Sequence, residues 1–352
     1  MTQIEALLEF LGEAVTPFHA VAAMSRRLSD AGFEEVERFD AETMTAGRGY
    51  FMTRQGSSLI AMRAGQGRPD AGLRLVGAHT DSPNLSVKPN PVKGLDGCVQ
   101  LGVDVYGGAL LNPWFDRDLA IAGRVTLLTT SGELCSTLFD SARPVAVVPS
   151  LAIHLDREAN KQRSINPQKD VVPLVMLGDA QQFDFKAWLA ETLTAQDSQW
   201  QDARVMDYEL SLYDVQPPAV AGIDESWITS ARLDNLLSCF AGLSALIDTE
   251  DAEWSMLVAT DHEEVGSAST VGAQGPMLMD ALTALVPNPQ DNQQLRTDSW
   301  MLSVDNAHAV HPNYADKHDD QHSPRLGGGP VVKINRNQRY ATNSEGAARL
   351  RL

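Results

Sequence analysis

Three apolar runs in this chain each end in a histidine or a carboxylate, and this pattern restricts the fold more than any other feature. The runs span residues 73–81, 255–264 and 299–305, and their terminal side chains include His79, Asp81, Glu263, Glu264 and Asp305. Short apolar runs bounded in this way are typical of buried strands. In open α/β sheets, ligands bind in the crevice outside the carboxyl ends of the strands. The three ends therefore predict one site in an α/β fold, and their side chains indicate a metal-dependent hydrolase.

Composition narrows the class of partner. The net charge of −18 argues against nucleic acid or an anionic membrane surface as the main partner. No apolar run approaches the roughly 20 residues of a membrane span. The N-terminus has no basic segment, so we expect no signal peptide. Cys98, Cys135 and Cys239 are scattered without metal-site spacing, which favours a reducing, cytoplasmic location.

The length and the pattern along the chain predict two domains. A chain of 352 residues exceeds what one hydrophobic core usually accommodates. Beyond Pro83 the pattern changes to alternating segments such as 99–106 and 122–129, which are typical of β-rich units. Pro217 and Pro218 then mark a linker, and helical and strand patterns alternate again. We therefore expect a mixed-sheet α/β catalytic domain, 1–86 and 221–352, interrupted by a β-rich insertion at 87–220.

Several local signals predict individual elements. A helix is expected at 3–15, and a second one starts with Thr16 as its N-cap and Pro17 at its first position. Two short strands around residues 55–57 indicate a hairpin. Further helices are expected at 180–195, 233–247 and 276–285.

Two motifs combine a possible metal ligand with a possible base or orienting group. Asp81 follows His79 by two residues, so both side chains point to the same side if the backbone stays extended, and Asp81 could orient the imidazole. The alternative is a surface turn, because Asp-Ser-Pro-Asn is also good turn chemistry. In the second motif, one of Glu263 and Glu264 could bind a metal while the other acts as general base. The alternative there is a solvated acidic turn.

Two further carboxylates complete the set. Asp305 precedes four histidines in a short window, of which His308 and His311 are close enough to line one pocket, although a polar loop would look the same. Asp234 begins an apolar helix, where it could merely cap the helix or could bridge two metal ions. Together His79, Asp234, Glu264 and Asp305 offer nitrogen and oxygen ligands, which suit Zn²⁺ and also Co²⁺ or Mn²⁺.

These segments resemble the M18 metallo-aminopeptidases, the aspartyl aminopeptidase family, over nearly the whole chain. The similarity lies in Gly-Ala-His79-Thr-Asp81-Ser-Pro, Ala-Arg-Leu-Asp234-Asn, Asp-His-Glu263-Glu264-Val-Gly-Ser and Asp305-Asn-Ala-His308-Ala-Val-His311. Further matches surround Lys333, Tyr340, Trp114 and His154. The resemblance implies a zinc-exopeptidase-like catalytic domain, interrupted by a β-rich dimerisation domain, that removes the N-terminal residue of peptides.

The resemblance also implies a role for each matching residue. His79 and Asp305 would ligate one metal ion, Glu264 the other, and Asp234 would bridge them. Glu263 would be the general base, and Asp81 would orient His79. His154 would reach the active site of a neighbouring subunit, since family members form dimers that assemble into dodecamers. His308, Lys333 and Tyr340 would line the substrate pocket, where a lysine favours an acidic first side chain.

One departure from the family pattern affects the expected activity. Family chains continue beyond the position matching Leu352, and the resemblance implies that this stretch supplies a last histidine ligand. The sequence as given is therefore expected to bind the second metal ion weakly and to be nearly inactive. Two alternatives stay open: a dinuclear deacylase of N-acyl amino acids, and an assembly subunit without catalysis.

Overall fold

The computed structural model describes residues 2–249 and 253–352. The chain divides into two compact units, one reaching Val304 and the other spanning Asp305–Leu352. No helix in the described part of the chain is long and apolar enough to cross a membrane.

The chain forms seven α-helices within its described residues. They are α1 (Gln3–Glu13), α2 (Pro17–Asp30), α3 (Phe185–Gln196), α4 (Leu233–Asp248), α5 (Met277–Leu285), α6 (Pro289–Asp298) and α7 (Ser344–Arg351).

The strands of the same described segments fall mainly into two six-stranded sheets. In chain order they are β1 (Glu34–Glu35), β2 (Gly49–Arg54), β3 (Ser58–Arg63), β4 (Arg74–His79), β5 (Asn84–Leu95), β6 (Cys98–Tyr106), β7 (Leu119–Leu128), β8 (Leu134–Asp140), β9 (Leu174–Leu177), β10 (Arg204–Asp214), β11 (Ala219–Ala221), β12 (Trp227–Thr229), β13 (Ser255–Thr260) and β14 (Trp300–Ser303).

The first sheet is mixed and has the order β1-β2-β3-β13-β4-β14. β13 pairs antiparallel with β3 and parallel with β4, and β14 is also parallel to β4. One face of this sheet packs against α1, α2 and α4, and the other face against α5 and α6. The central strands are therefore covered on both sides, which explains why β4 and β13 read as apolar runs. The expected mixed α/β fold is confirmed.

The second sheet is antiparallel and has the order β8-β7-β10-β5-β6-β9. Buried residues alternate with exposed ones along part of β10, as expected for a sheet with one covered face. That face packs against α3 through Phe185 and Leu189, which join Phe139 in the core of this part of the protein.

The helix starts follow local capping chemistry. Thr16 accepts a hydrogen bond from the backbone N–H of His19, and Pro17 occupies the first turn, which confirms the prediction for α2. The predicted helix at 180–195 is wrong at its start, because residues 180–182 form a 3₁₀ turn. Asp184 caps α3 through the N–H of Ala187, so the helix begins only at Phe185.

The second unit, Asp305–Leu352, has little regular structure: its described elements are α7 and a 3₁₀ turn at Ala315–Lys317. Most of its residues are exposed. Within it, the ammonium group of Lys333 lies 2.7 Å from a carboxylate oxygen of Asp305.

Candidate metal centre

The register of the first sheet brings two of the predicted strand ends together. His79 is the last residue of β4 and pairs with Thr260, the last residue of β13. The pairing continues one residue further, because the N–H of Thr80 donates to the carbonyl of Thr260 at 2.8 Å. His79 therefore lies beside the turn that carries Glu263 and Glu264.

Asp81 is the buried anchor of this site. One of its carboxylate oxygens lies 3.2 Å from Nδ1 of His79. The carboxylate also accepts the N–H groups of Glu263 and Glu264, both at 3.1 Å, and the hydroxyl of Tyr106 at 2.7 Å. The alternative of a surface turn is wrong, because Asp81 is fully buried.

These contacts fix the protonation states of two groups. Burial raises the pKa of Asp81, but the hydrogen bonds from His79 and Tyr106 outweigh this effect, and the net pKa lies below its ordinary value. Burial and the Asp81 carboxylate raise the pKa of Tyr106 well above its ordinary value. Asp81 is consequently an ionised acceptor, and Tyr106 a neutral donor that points at it.

The other ring nitrogen of His79 faces carboxylates. Its Nε2 lies 3.5 Å from an oxygen of Asp234 and 3.9 Å from an oxygen of Glu263. Because Asp81 holds Nδ1, Nε2 is directed toward these oxygens. A nearly buried imidazole with an orienting carboxylate behind it is the arrangement in which histidine commonly binds a metal ion.

Three contacts fix the backbone around Asp234. The hydroxyl of Ser82 donates to the carbonyl of Asp234 at 2.8 Å, and the side chain of Asn235 donates to the carbonyl of Val304 at 2.9 Å. The peptide bond between Asp234 and Asn235 is cis. Arg232, at the N-cap of α4, makes no side-chain capping hydrogen bond, and the backbone of Asp234 and Asn235 departs from helical φ and ψ, so the helix is kinked at Asp234.

Glu264 lies in an unfavourable electrostatic environment. Burial, followed by the carboxylates of Asp234, Asp81 and Glu263, raises its pKa to about 7, while His79 opposes the increase. A cation bound at this point would relieve the repulsion. The donor set therefore fits a divalent ion that accepts nitrogen and oxygen ligands.

Several residues of the site could not be identified from the sequence alone. Tyr106 comes from the end of β6 in the second sheet. His262 adopts φ of +65° and contacts the hydroxyl of Ser269 through Nδ1 at 2.7 Å, which braces the turn before Glu263. Asp261 is buried, and its N–H is bound by Ser58. Only the short Asp261-His262 sequence next to the acidic pair could have indicated these supporting contacts.

A cleft of about 660 Å³ opens beside Asp234 and Glu264. Its walls include Leu110 and Trp114 from the second sheet's connections and Pro17 from the start of α2. The cleft offers room for part of a peptide next to the two carboxylates.

The remaining predicted residues lie elsewhere. His154 is exposed on a turn between β8 and β9. His308, Lys333 and Tyr340 belong to the second unit together with Asp305. There Lys333 donates to Asp305 and to the carbonyl of Asn306, both at 2.7 Å, and its ammonium lies 5.8 Å from the centre of the Tyr340 ring.

Comparison with known proteins identifies the class of this protein. The family model for the aminopeptidase I zinc metalloproteases (M18) matches residues 10–352, so the chain belongs to the M18 metallo-aminopeptidases, hydrolases that act on peptides. The probable M18 family aminopeptidase 2 of Ectopseudomonas mendocina is 53% identical over 348 residues, which cover 98% of this chain and 80% of that protein.

Solved structures agree with this assignment. A chain in the cryo-EM structure of the Ape4 and Nbr1 complex is 33% identical and superposes with a TM-score of 0.92, covering 99% of this chain and 72% of that chain. The S. cerevisiae mApe1 dodecamer gives a TM-score of 0.79 at 25% identity, covering 98% of this chain and 80% of that chain.

Proposed function

We propose that this protein is a dinuclear aminopeptidase, most simply a zinc enzyme, that hydrolyses the first peptide bond of its substrates. The observation that carries the proposal is the environment of His79: Asp81 holds one ring nitrogen, and Asp234 and Glu263 lie near the other. His79 and Asp305 would hold one ion, Glu264 the other, and Asp234 both. When bound, the ions supply Lewis acidity to the scissile carbonyl and to water.

The side chains of this protein would supply proton transfer, orientation of the metal ligand and stabilisation of the transition state. Glu263, whose carboxylate is half exposed, takes the proton from the attacking water and can return it to the leaving amine. Asp81 keeps the imidazole of His79 in one orientation through its contact with Nδ1. His154 of a neighbouring subunit would donate to the oxygen that becomes negative in the transition state, a contribution worth about 10²–10³ in rate.

Lys333 is the residue to which we assign selection of the first residue of the substrate. Lysine has three N–H donors, and the contacts with Asp305 and Asn306 use two of them. The third can pair with the carboxylate of an N-terminal Asp or Glu, beside Tyr340. His308 would line the same pocket.

A homo-oligomer is the proposed assembly, and the cytoplasm the proposed location. The mApe1 relative is described as a dodecamer, which supports a homo-oligomer. Within it, the insertion at 87–220 would serve as the dimerisation domain. The three cysteines are free, as expected in a reducing compartment.

Metal analysis and a substrate panel test the function directly. About two zinc ions per chain after dialysis would favour the enzyme, and about none would favour the assembly subunit. Any cleavage should be of peptides with a free amino terminus and not of their N-acetylated forms. Cleavage of the acetylated compounds instead would establish the deacylase. Purified chain that binds no Zn²⁺, Co²⁺ or Mn²⁺ would contradict the proposal.

The acidic preference has its own test. Lys333→Ala should lower the ratio of Glu-peptide to Leu-peptide turnover by about tenfold, since it removes one charge pairing of about 1.4 kcal/mol. Lys317→Ala, an exposed lysine of the same unit, is the control and should leave the ratio unchanged. An unchanged ratio in Lys333→Ala would rule out this role.

A further inference from the structure

The carbonyl groups at the end of helix α1 have no cationic side chain from the last turn of the helix beside them. The last turn of α1, all of which belongs to the described residues, contains no basic side chain. The carboxyl end of a helix carries partial negative charge and unpaired carbonyl oxygens, and a cation placed there is stabilising. Another part of the chain supplies that cation.

Arg232 occupies this position from a distance of more than 200 residues in sequence. Its Nε donates to the carbonyl of Ala14 at 3.2 Å, and its Nη2 donates to the carbonyl of Leu11 at 3.4 Å. The guanidinium carbon lies 5.8 Å from the centre of the Tyr213 ring, on β10 of the second sheet. Tyr213 in turn donates its hydroxyl to Asp140 at 2.8 Å. One side chain therefore contacts both α1 and the second sheet.

The backbone of Arg232 is also unusual. It has φ of +62° and ψ of +22°, a left-handed conformation that costs a non-glycine residue about 1–2 kcal/mol. Such a conformation persists only where the surroundings impose it. The chain reaches Asp234 two residues later, where Ser82 holds the carbonyl of Asp234 from the other side. The backbone at Asp234 thus has contacts on Arg232, two residues before it, and on its own carbonyl group.

We propose that Arg232 is a positioning residue for Asp234: by binding the end of α1 and the ring of Tyr213, it sets the backbone turn that presents the Asp234 carboxylate beside His79. A consequence is that metal affinity depends on how the second sheet packs against the start of α4. The inference rests on the proposed function, because Asp234 is a ligand only in that proposal.

The test compares metal binding in Arg232→Met, Arg232→Lys and the unsubstituted chain. Methionine keeps much of the apolar stem and removes the charge and the donors, whereas lysine restores the charge. We expect Arg232→Met to weaken Co²⁺ binding about tenfold, the lower end of the range for residues that orient metal ligands. The visible absorption of bound Co²⁺ should also change in shape, and Arg232→Lys should recover part of the affinity.

Two controls separate positioning from general destabilisation. Leu246→Val removes a buried methylene-sized volume at the far end of α4, and it should lower stability while leaving Co²⁺ affinity and spectrum unchanged. Arg26→Met removes an exposed arginine that pairs with Glu13 near the end of α1, and it should change neither property.

The outcomes distinguish this inference from the function on which it rests. Parental Co²⁺ affinity and spectrum in Arg232→Met would overturn the inference and leave the proposed function intact. An equal loss of affinity in Leu246→Val would also overturn it, because destabilisation alone would then account for the effect. An unsubstituted chain that binds no metal would overturn the proposed function and the inference with it.

Discussion

At the residue scale, Gly107 controls how closely the second sheet approaches the metal centre. Its φ is +69°, and a Cβ atom at this position would stand 3.0 Å from Cβ of Glu264 and 3.4 Å from a carboxylate oxygen of the same residue. Only glycine adopts this backbone conformation at low cost and leaves room for Glu264.

Gly107→Ala is therefore expected to affect both stability and metal binding. The left-handed conformation should cost about 1–2 kcal/mol, measured as the free energy of unfolding in urea. Displacement of Glu264 should weaken Zn²⁺ binding by about tenfold in a chelator competition. Gly108→Ala is the matched control, because its Cβ would meet no atom within 4 Å. Similar losses in both variants would contradict the role of Gly107.

The pKa of Glu264 predicts a pH dependence of stability in the metal-free protein. Burial, followed by the neighbouring carboxylates, raises this pKa from its ordinary 4.5 to about 7. Between these values the folded chain holds a proton that the unfolded chain has released. The contribution of Glu264 to the free energy of unfolding consequently decreases as the pH rises through this interval.

Urea unfolding of chelator-treated protein at pH 5 and pH 8 measures this effect. The unsubstituted chain should lose more stability over this range than Glu264→Gln, which cannot titrate at this position. Equal changes in the two proteins would show that Glu264 is not the responsible group.

The sequence indicates candidate residues of the site, but it does not indicate the side chains that support them. His79 and Glu264 follow apolar runs, and such runs are readable because buried strands have a strong compositional pattern. Tyr106 and Arg232 could not be predicted, because each reaches its partners through contacts between segments far apart in the chain. The surface-turn alternative for Asp81 failed for the same reason: local turn chemistry contains no information on what will cover it.

At the scale of elements, α4 lies unusually close to the first sheet. A Cβ atom on Gly242 would stand 2.8 Å from Cδ1 of Leu257 on β13 and 3.1 Å from Cγ1 of Val76 on β4. Helix α4, which begins at Leu233, thus touches both strands that lead to the site.

Gly242→Ala should destabilise the protein by about 1–3 kcal/mol, because the added methyl group overpacks this contact. Gly12→Ala in α1 is the matched comparison, since its Cβ would have a nearest neighbour at 3.9 Å, on Pro218. That substitution should be neutral or stabilising by up to about 1 kcal/mol, through helix propensity. Thermal unfolding compares the two, and a stable Gly242→Ala would contradict the close packing.

Element boundaries were predictable where a cap is explicit and not elsewhere. Thr16-Pro17 combines a capping hydroxyl with a fixed φ, and the structure follows it. The helix predicted from residue 180 begins only at Phe185, because residues 180–182 form a 3₁₀ turn and the carboxylate of Asp184 accepts the N–H of Ala187 as the cap. The helix start is therefore determined by a local side-chain hydrogen bond to the backbone.

At the scale of the whole molecule, an exposed apolar turn supports the proposed assembly. Leu151, Ile153 and Leu155 flank His154, and each has about half or more of its surface exposed. Clustered exposed aliphatic side chains are typical of contact surfaces.

Leu155→Glu should lower the molar mass of the protein in solution, because a charge would have to be buried in the subunit contact. Sedimentation velocity measures the mass in multiples of 38.2 kDa. Leu326→Glu, a similarly exposed leucine in the second unit, is the control and should leave the mass unchanged. A Leu155→Glu protein of parental mass would exclude this turn from the contact.

The register that aligns His79 with Thr260 has an evolutionary consequence. Neighbouring strands lie about 4.8 Å apart because peptide hydrogen bonds set that spacing, whichever side chains the strands carry. A slip by one residue would turn His79 to the opposite face, so selection acts on the pairing as a unit. Buried side chains on either face can meanwhile change without altering this spacing. The spacing between the strands that carry the site is set by the main chain. The core sequence can therefore change without loss of the chemistry.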